Sequence, residues 1–158
     1  MARELLTTWT DYRSALERVL ELAQNSLQIY GGDLRELKLE SSDHLAHLQR
    51  IATQTPRESI QIALRNAQAI RREHPRLLDL LRTYGHAIHI HETADTLSHL
   101  RDTMILVDGK HGLIRFHEDQ PRSKLLIDEA EELLPYRKRF QEIWAEPGDE
   151  ITGTTLGL

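Results

Sequence analysis

The sequence predicts an α/β domain: a mixed, mainly parallel sheet with helices on both faces and a C-terminal β-hairpin. Three observations carry this. Short runs at 26–31, 60–64 and 87–92 have a strand's apolar content and period-two alternation. The segments between them repeat apolar residues every three to four positions, giving the alternation of strand and helix that builds parallel sheets. Finally, two apolar runs at 104–107 and 113–116 flank Asp108-Gly109-Lys110-His111-Gly112, which has hairpin-turn chemistry.

Residues 1–9 read as a loose arm that Trp9 anchors. Thr10 or Asp11 caps a first helix, with Tyr12, Ala15, Leu16, Val19, Leu20 and Ala23 on one face. The strand at 26–31 stops at Gly31-Gly32, and 33–40 reads as a surface loop. Ser42 or Asp43 opens a second helix carrying Leu45, Leu48, Ile51 and Ala52, and Pro56 closes that region. Ile60, Ile62 and Leu64 mark the second strand, after which Asn66 caps a third helix. Pro75 lacks a backbone donor and forces a kink or a new start. Leu77, Leu78, Leu81 and Tyr84 continue the apolar face to Gly85. In the third strand Ile88 and Ile90 face one side, His89 and His91 the other. Residues 95–100 read as a helical turn or loop, and the hairpin follows. After Pro121 the chain reads as helical: a short acidic helix from Asp128 to Leu134, then one that Pro135 starts and Pro147-Gly148 ends. Tyr136, Phe140, Ile143 and Trp144 form its stripe. The expected division is an arm (1–9), one α/β domain (10–147) and a tail (148–158) that Leu156 and Leu158 could dock.

A net charge of −5 supplies no global basic field for nucleic acid or an anionic membrane. Arg71-Arg72 and Arg137-Lys138-Arg139 read as solvated helix faces. With no cysteine, disulfides and thiolate zinc sites are excluded. No apolar run approaches the ~20 residues a membrane span needs, and no signal-peptide pattern opens the chain, so a cytoplasmic setting is expected. Phosphate-loop, G-x-S-x-G and H-E-x-x-H motifs are absent.

The element order and the segment ILVDGKHGLI at 105–114 resemble one half of a phospholipase D-type domain. That family writes H-x-K-x-x-x-x-D-G before its apolar return strand. Alignment on Asp108-Gly109 puts Arg101 at the family's histidine and Thr103 at its lysine. The following G-S-x-N falls on Arg115, Phe116, His117 and Glu118 and is not kept. Arginine stays protonated and cannot serve as the nucleophile. The resemblance therefore implies the fold without the chemistry. Because the family's sites are built from two halves, it also implies a homodimer across the hairpin and cleft edge. A second resemblance, to a bacterial domain found alone or fused behind GNAT-type acetyltransferases, spans about residues 10–158. It rests on the order of D-Y-x-x-A-L-E (11–17), I-Y-G-G-D-L (29–34), R-N-A (65–67), H-x-x-L-L-x-L (74–80), L-V-D-G-K-H-G (106–112), F-x-E-I-W (140–144) and T-L-G-L (155–158). It implies an acetyltransferase as a further candidate partner and brings no activity with it.

The candidate site follows from both arguments. Arg101 and Arg115 would flank the family's phosphate pocket, where two guanidiniums can grip a small anionic ligand through forked hydrogen bonds. The alternative is pairing with Asp102, Glu118 or Asp119. Arg65 and Asn66 sit at the carboxyl end of a strand, where open α/β sheets bind ligands, as does Gly31-Gly32-Asp33. Asp108 and Gly109 are expected to be structural, with Asp108 bonding to its own turn. His89 and His91 share a strand face and are the weak candidates for a metal; no metal or cofactor is expected. The expectation is a non-catalytic binding or regulatory module. The competing one is a phosphodiesterase or nuclease using relocated histidines such as His89, His91 or His99.

Overall fold

A computed structural model describes residues 1–54, 58–146 and 148–153. Eight strands form one sheet: β1 (Ala2–Leu6), β2 (Leu27–Gly31), β3 (Ile60–Leu64), β4 (Ile88–Glu92), β5 (Thr103–Val107), β6 (His111–Arg115), β7 (Ser123–Ile127) and β8 (Glu150–Ile151). Their spatial order is β1-β7-β6-β5-β2-β3-β4-β8. Only β2–β3 and β3–β4 are parallel. The pairings β1–β7, β2–β5, β4–β8, β5–β6 and β6–β7 are antiparallel. The sheet is mixed as expected, but mostly antiparallel rather than mainly parallel. The meander β5–β6–β7, formed where only a hairpin was expected, supplies two of the antiparallel pairings, and the edge strands β1 and β8 and the joining of β5 to β2 supply the others.

Helices cover both faces. Trp9–Leu22 (α1), Ser42–Gln54 (α2), Ile70–Glu73 (α3) and Pro75–Thr83 (α4) contribute to one core, with Leu27, Ile29, Ile60, Ile62, Ile88, Ile90, Ile105 and Leu113. Ala130–Ala145 (α5) covers the other, where Leu133, Phe140 and Ile143 meet Tyr30, Ala63, Met104, Leu106, Ile114 and Leu126. The alternation of strand side chains sorts the two cores: Ile29, Ile62 and Ile105 face one, Tyr30, Ala63 and Met104 the other.

Several local expectations are corrected. The arm is an edge strand, β1, paired along β7. Thr8, rather than Thr10 or Asp11, caps α1 by accepting the Asp11 N–H at 3.1 Å. The 33–40 loop holds a 3-10 turn, Arg35–Leu37, and buries Leu34, Leu37 and Leu39. Asn66 does not cap α3, which starts at Ile70 after Ala69; its side chain accepts from Gln68 N at 3.0 Å within a turn. Pro75 does begin a new helix, α4. Strand β7 replaces the helical start expected after Pro121, and the two C-terminal helices are one, with Pro135 inside it. Pro135 is the sixth residue of that helix, past the four whose N–H groups lack an intrahelical acceptor, so it gives up the bond a donor there would make to Glu131 O. Residues 148–151 leave the tail to pair with β4, through β8. Pro56, Pro147, Leu156 and Leu158 lie outside the described residues. Among those described, no helix is long and apolar enough to cross a membrane.

Candidate functional site

Parallel strands β2 and β3 end side by side, and their carboxyl ends open onto a cleft of about 450 Å³. The elements around it each deliver an arginine. Arg65 follows β3 directly, Arg101 precedes β5, and Arg115 ends β6. The register pairs Thr103 with Arg115, which brings the two ends of the β5–β6 hairpin to the same edge. Gly32, Asp33, Asn66, Thr103 and Glu118 line it with them, as do Ser98, Asp119, Glu36 and a fourth arginine, Arg35, which pairs with Asp33. The sequence-derived set Arg101, Arg115, Arg65 and Asn66 therefore lines one cleft, together with Gly32 and Asp33.

The three guanidiniums are held differently. Arg65 is closely confined, with a side chain 6% exposed. It donates to the carbonyls of Leu100 and Asp102 and, at 2.6 Å, to Glu118 Oε2. Its guanidinium lies 5.1 Å from the centre of the Tyr30 ring. Burial works against its charge, but Tyr30 and Glu118 more than compensate and hold its pKa above the ordinary value. Burial raises the Tyr30 phenol, with Arg65 opposing. The Tyr30 hydroxyl donates to Leu100 O at 2.7 Å, fixing the same carbonyl that Arg65 uses.

Arg115 is buried, 4% exposed, and its guanidinium lies 5.2 Å from the Trp9 ring centre and 5.0 Å from that of Tyr12. Such contacts stabilise a desolvated cation without consuming its donors. It donates through Nη1 to Glu118 O, while its buried Nε meets no acceptor among the described residues. Burial also raises the Tyr12 phenol, against the pull of Arg115. Arg101 is half-exposed and pairs through Nη2 with Glu118 Oε1 at 3.0 Å. Of the three partners expected from sequence, Glu118 engages all three arginines. Asp102 turns away to a two-point pair with Arg139, at 2.9 and 2.6 Å. Asp119 instead lies 3.7 Å from His117.

Sequence reasoning missed the aromatic support from Trp9, Tyr12 and Tyr30, because cation–ring contacts join residues distant in sequence. Gly32 carried a readable signal. A Cβ there would stand 2.5 Å from Glu118 Oε2 and 2.9 Å from Arg65 Nη2, so the glycine admits this ion pair.

The Asp108 carboxylate bonds outside its own turn. Asp108 and Gly109 both have positive φ, 55° and 69°, as the tight hairpin requires. This backbone aims the Asp108 carboxylate at the loop between α1 and β2. It accepts the N–H groups of Gln24 (3.0 Å), Asn25 (2.8 Å) and Ser26 (2.9 Å). The candidate histidines lie outside the arginine cleft. His89 approaches Glu150 at 3.3 Å, and His91 stacks on Trp144 with ring centres 4.0 Å apart. His99 lines a neighbouring groove with Phe116 and Tyr136. Among the described residues, no group of three or more His, Cys, Asp or Glu could hold a metal ion.

This architecture is a phospholipase D-like fold. Nuc from Salmonella typhimurium, a phospholipase D family member, superposes with a TM-score of 0.63 at 11% identity, over 96% of this chain and 98% of that one. NucT from Helicobacter pylori gives 0.57 at 13% identity, over 92% and 96%. TrmBL2, an archaeal chromatin protein that binds DNA, gives 0.68 at 12% identity. This chain matches over 96% of its own length and spans 55% of that protein. No curated protein sequence matches it. The chain belongs to the family described as domain of unknown function DUF7931, whose model matches residues 8–151.

Proposed function

We propose that the chain is a non-catalytic phospholipase D-like module that binds a small oxyanion, phosphate-bearing or carboxylate, at the cleft of Arg65, Arg101 and Arg115. One observation carries the reading: three arginines from separate elements converge at the carboxyl ends of the central parallel strands, and one is buried with an Nε that meets no acceptor among the described residues. Guanidinium groups match the two-point geometry of oxyanions. The same cleft supports binding over turnover. Its ionisable lining is arginine and carboxylate: arginine serves neither as nucleophile nor as a base near neutral pH, and the carboxylates of Glu118 and Asp33 are engaged in ion pairs with Arg65, Arg101 and Arg35.

The test is a titration of the whole chain with inorganic phosphate at low ionic strength, followed by NMR chemical shifts. Saturable shifts at the Arg65, Arg101 and Arg115 neighbourhood are expected. Arg101→Ala removes an exposed side chain that the fold does not need, and it should weaken binding roughly tenfold, the worth of one charged hydrogen bond. Shifts that never saturate in wild type or in Glu118→Ala, or that Arg101→Ala leaves unchanged, would refute the anion site. Hydrolysis of a generic phosphodiester by the purified chain, abolished by His89→Ala or His91→Ala, would refute the non-catalytic part.

A further inference from the structure

The acceptor that Arg65 and Arg101 hold in this structure belongs to the chain itself. Glu118 gives one carboxylate oxygen to each, Oε2 to Arg65 at 2.6 Å and Oε1 to Arg101 at 3.0 Å. An oxyanion gripped by two guanidiniums would present its oxygens in the same manner. We propose that Glu118 is a displaceable resident of the anion site, and that a ligand binds by exchanging with its carboxylate. This rests on the anion-binding reading above and adds the regulation of that site.

The exchange involves a side chain and leaves the loop in place. The Glu118 backbone is held on both sides: its N–H donates to Arg101 O at 2.8 Å, and its carbonyl accepts from Arg115. The side chain is 23% exposed, so rotation about its own bonds carries the carboxylate to water while the loop stays fixed. Neighbouring His117 and Asp119 are both exposed and offer it no barrier.

The partners make the exchange one-sided. Arg65 cannot follow Glu118 outward, because two carbonyls and the Tyr30 ring fix it. With the carboxylate gone, Arg65 Nη2 would be a confined charged donor in need of an acceptor. Arg115 already has such a donor in Nε. A ligand oxyanion replaces the carboxylate at Arg65 and Arg101 and, having more oxygens, can also face Arg115, which Glu118 meets through its backbone carbonyl. The other acidic residues lining the cleft do not compete for this position. Asp33 pairs with Arg35 at 3.0 Å, Glu36 lies 4.0 Å from Arg13, and Asp119 points to His117. Gly32 leaves no room for a side chain of its own beside the Glu118–Arg65 pair.

Calorimetric titration with inorganic phosphate, using the whole chain as wild type, Glu118→Ala and Glu118→Gln, tests the exchange. Glu118→Ala removes the resident, and its affinity should rise about tenfold, equivalent to about 1.4 kcal/mol. Glu118→Gln keeps a neutral occupant and should show a smaller rise, which preserves the test should the alanine variant fold poorly. Saturable binding by the variants where wild type shows none also supports the exchange. Wild-type binding that is sensitive to Arg101→Ala, together with variant affinities equal to or below wild type, overturns the exchange and leaves the anion site standing. Absence of saturable binding in all three proteins overturns both.

Discussion

Replacing Asp108 by alanine should cost about 3–4 kcal/mol, although the residue touches no ligand in any reading of the cleft. Its carboxylate accepts three backbone N–H groups from Gln24, Asn25 and Ser26, tying the hairpin to the α1–β2 loop. Removing a charged hydrogen bond costs ~1.5–3 kcal/mol when the orphaned group is buried. Here the Gln24 and Asn25 bonds are exposed and the Ser26 bond is only part-buried, so water re-satisfies the donors and roughly 1 kcal/mol for each of the three is the better figure. The backbone adds a second cost. Asp108 sits at φ 55°, a left-handed conformation that alanine adopts at an expense of ~1 kcal/mol. The sum is a large part of the ~5–15 kcal/mol that holds a domain folded. For a chain of this size it lowers Tm by roughly 10 °C. Urea denaturation followed by circular dichroism, with a thermal melt alongside, measures it. Two companion variants separate the terms. Asp108→Gly keeps the conformation and loses the acceptor, so it retains most of the defect. Asp108→Asn keeps the conformation and one acceptor oxygen, so it should lose about half as much. A stability for Asp108→Ala within about 0.5 kcal/mol of wild type would refute the latch.

Two further predictions concern packing and pH. A Cβ at Gly112 would fall well inside van der Waals contact with Leu133 Cδ1, so Gly112→Ala should destabilise by ~1–3 kcal/mol. Trimming the obstacle in Gly112→Ala/Leu133→Val should recover part of that loss, and strictly additive denaturation energies would show that this contact is not the cause. Burial holds His111 below the ordinary histidine pKa of 6.5, opposed by Asp128 and Asp108 and aided by Lys110 and Arg18. Its Nδ1 accepts the Asp128 N–H at 3.0 Å, which needs the unprotonated ring nitrogen. The unfolded chain therefore binds more protons between 6.5 and the lower folded value, and stability falls as pH drops through that window. His111→Gln should lose less stability than wild type between about pH 7.5 and about pH 5.5; an equal loss in both would assign the acid sensitivity elsewhere.

Much of the fold was legible because periodicity is a local signal. The alternation in 26–31, 60–64 and 87–92 marked three strands that the structure keeps, and the Asp108-Gly109 turn marked the hairpin. Strand β7 escaped notice because its last three residues, Leu125, Leu126 and Ile127, are buried on both faces; an unbroken apolar run has no period to read. Arm residues Ala2–Leu6 hid as an edge strand, largely exposed and paired on one side only. Strand direction was misjudged because side-chain alternation is identical in parallel and antiparallel pairs; backbone hydrogen bonding alone distinguishes them.

The sequence by itself determined the α/β class, the two apolar faces of the sheet, and the arginines at 65, 101 and 115 as candidates. Tertiary structure alone decided that these arginines share a cleft, that Glu118 bridges two of them, and that Asp108 fastens a loop more than eighty residues away. The physical reason is range. Helical and strand periods extend over a few residues and are written in local sequence. Ion pairs, ring contacts and backbone-to-carboxylate bonds join groups whose separation in the chain carries no information, so they come into being only when the strands align.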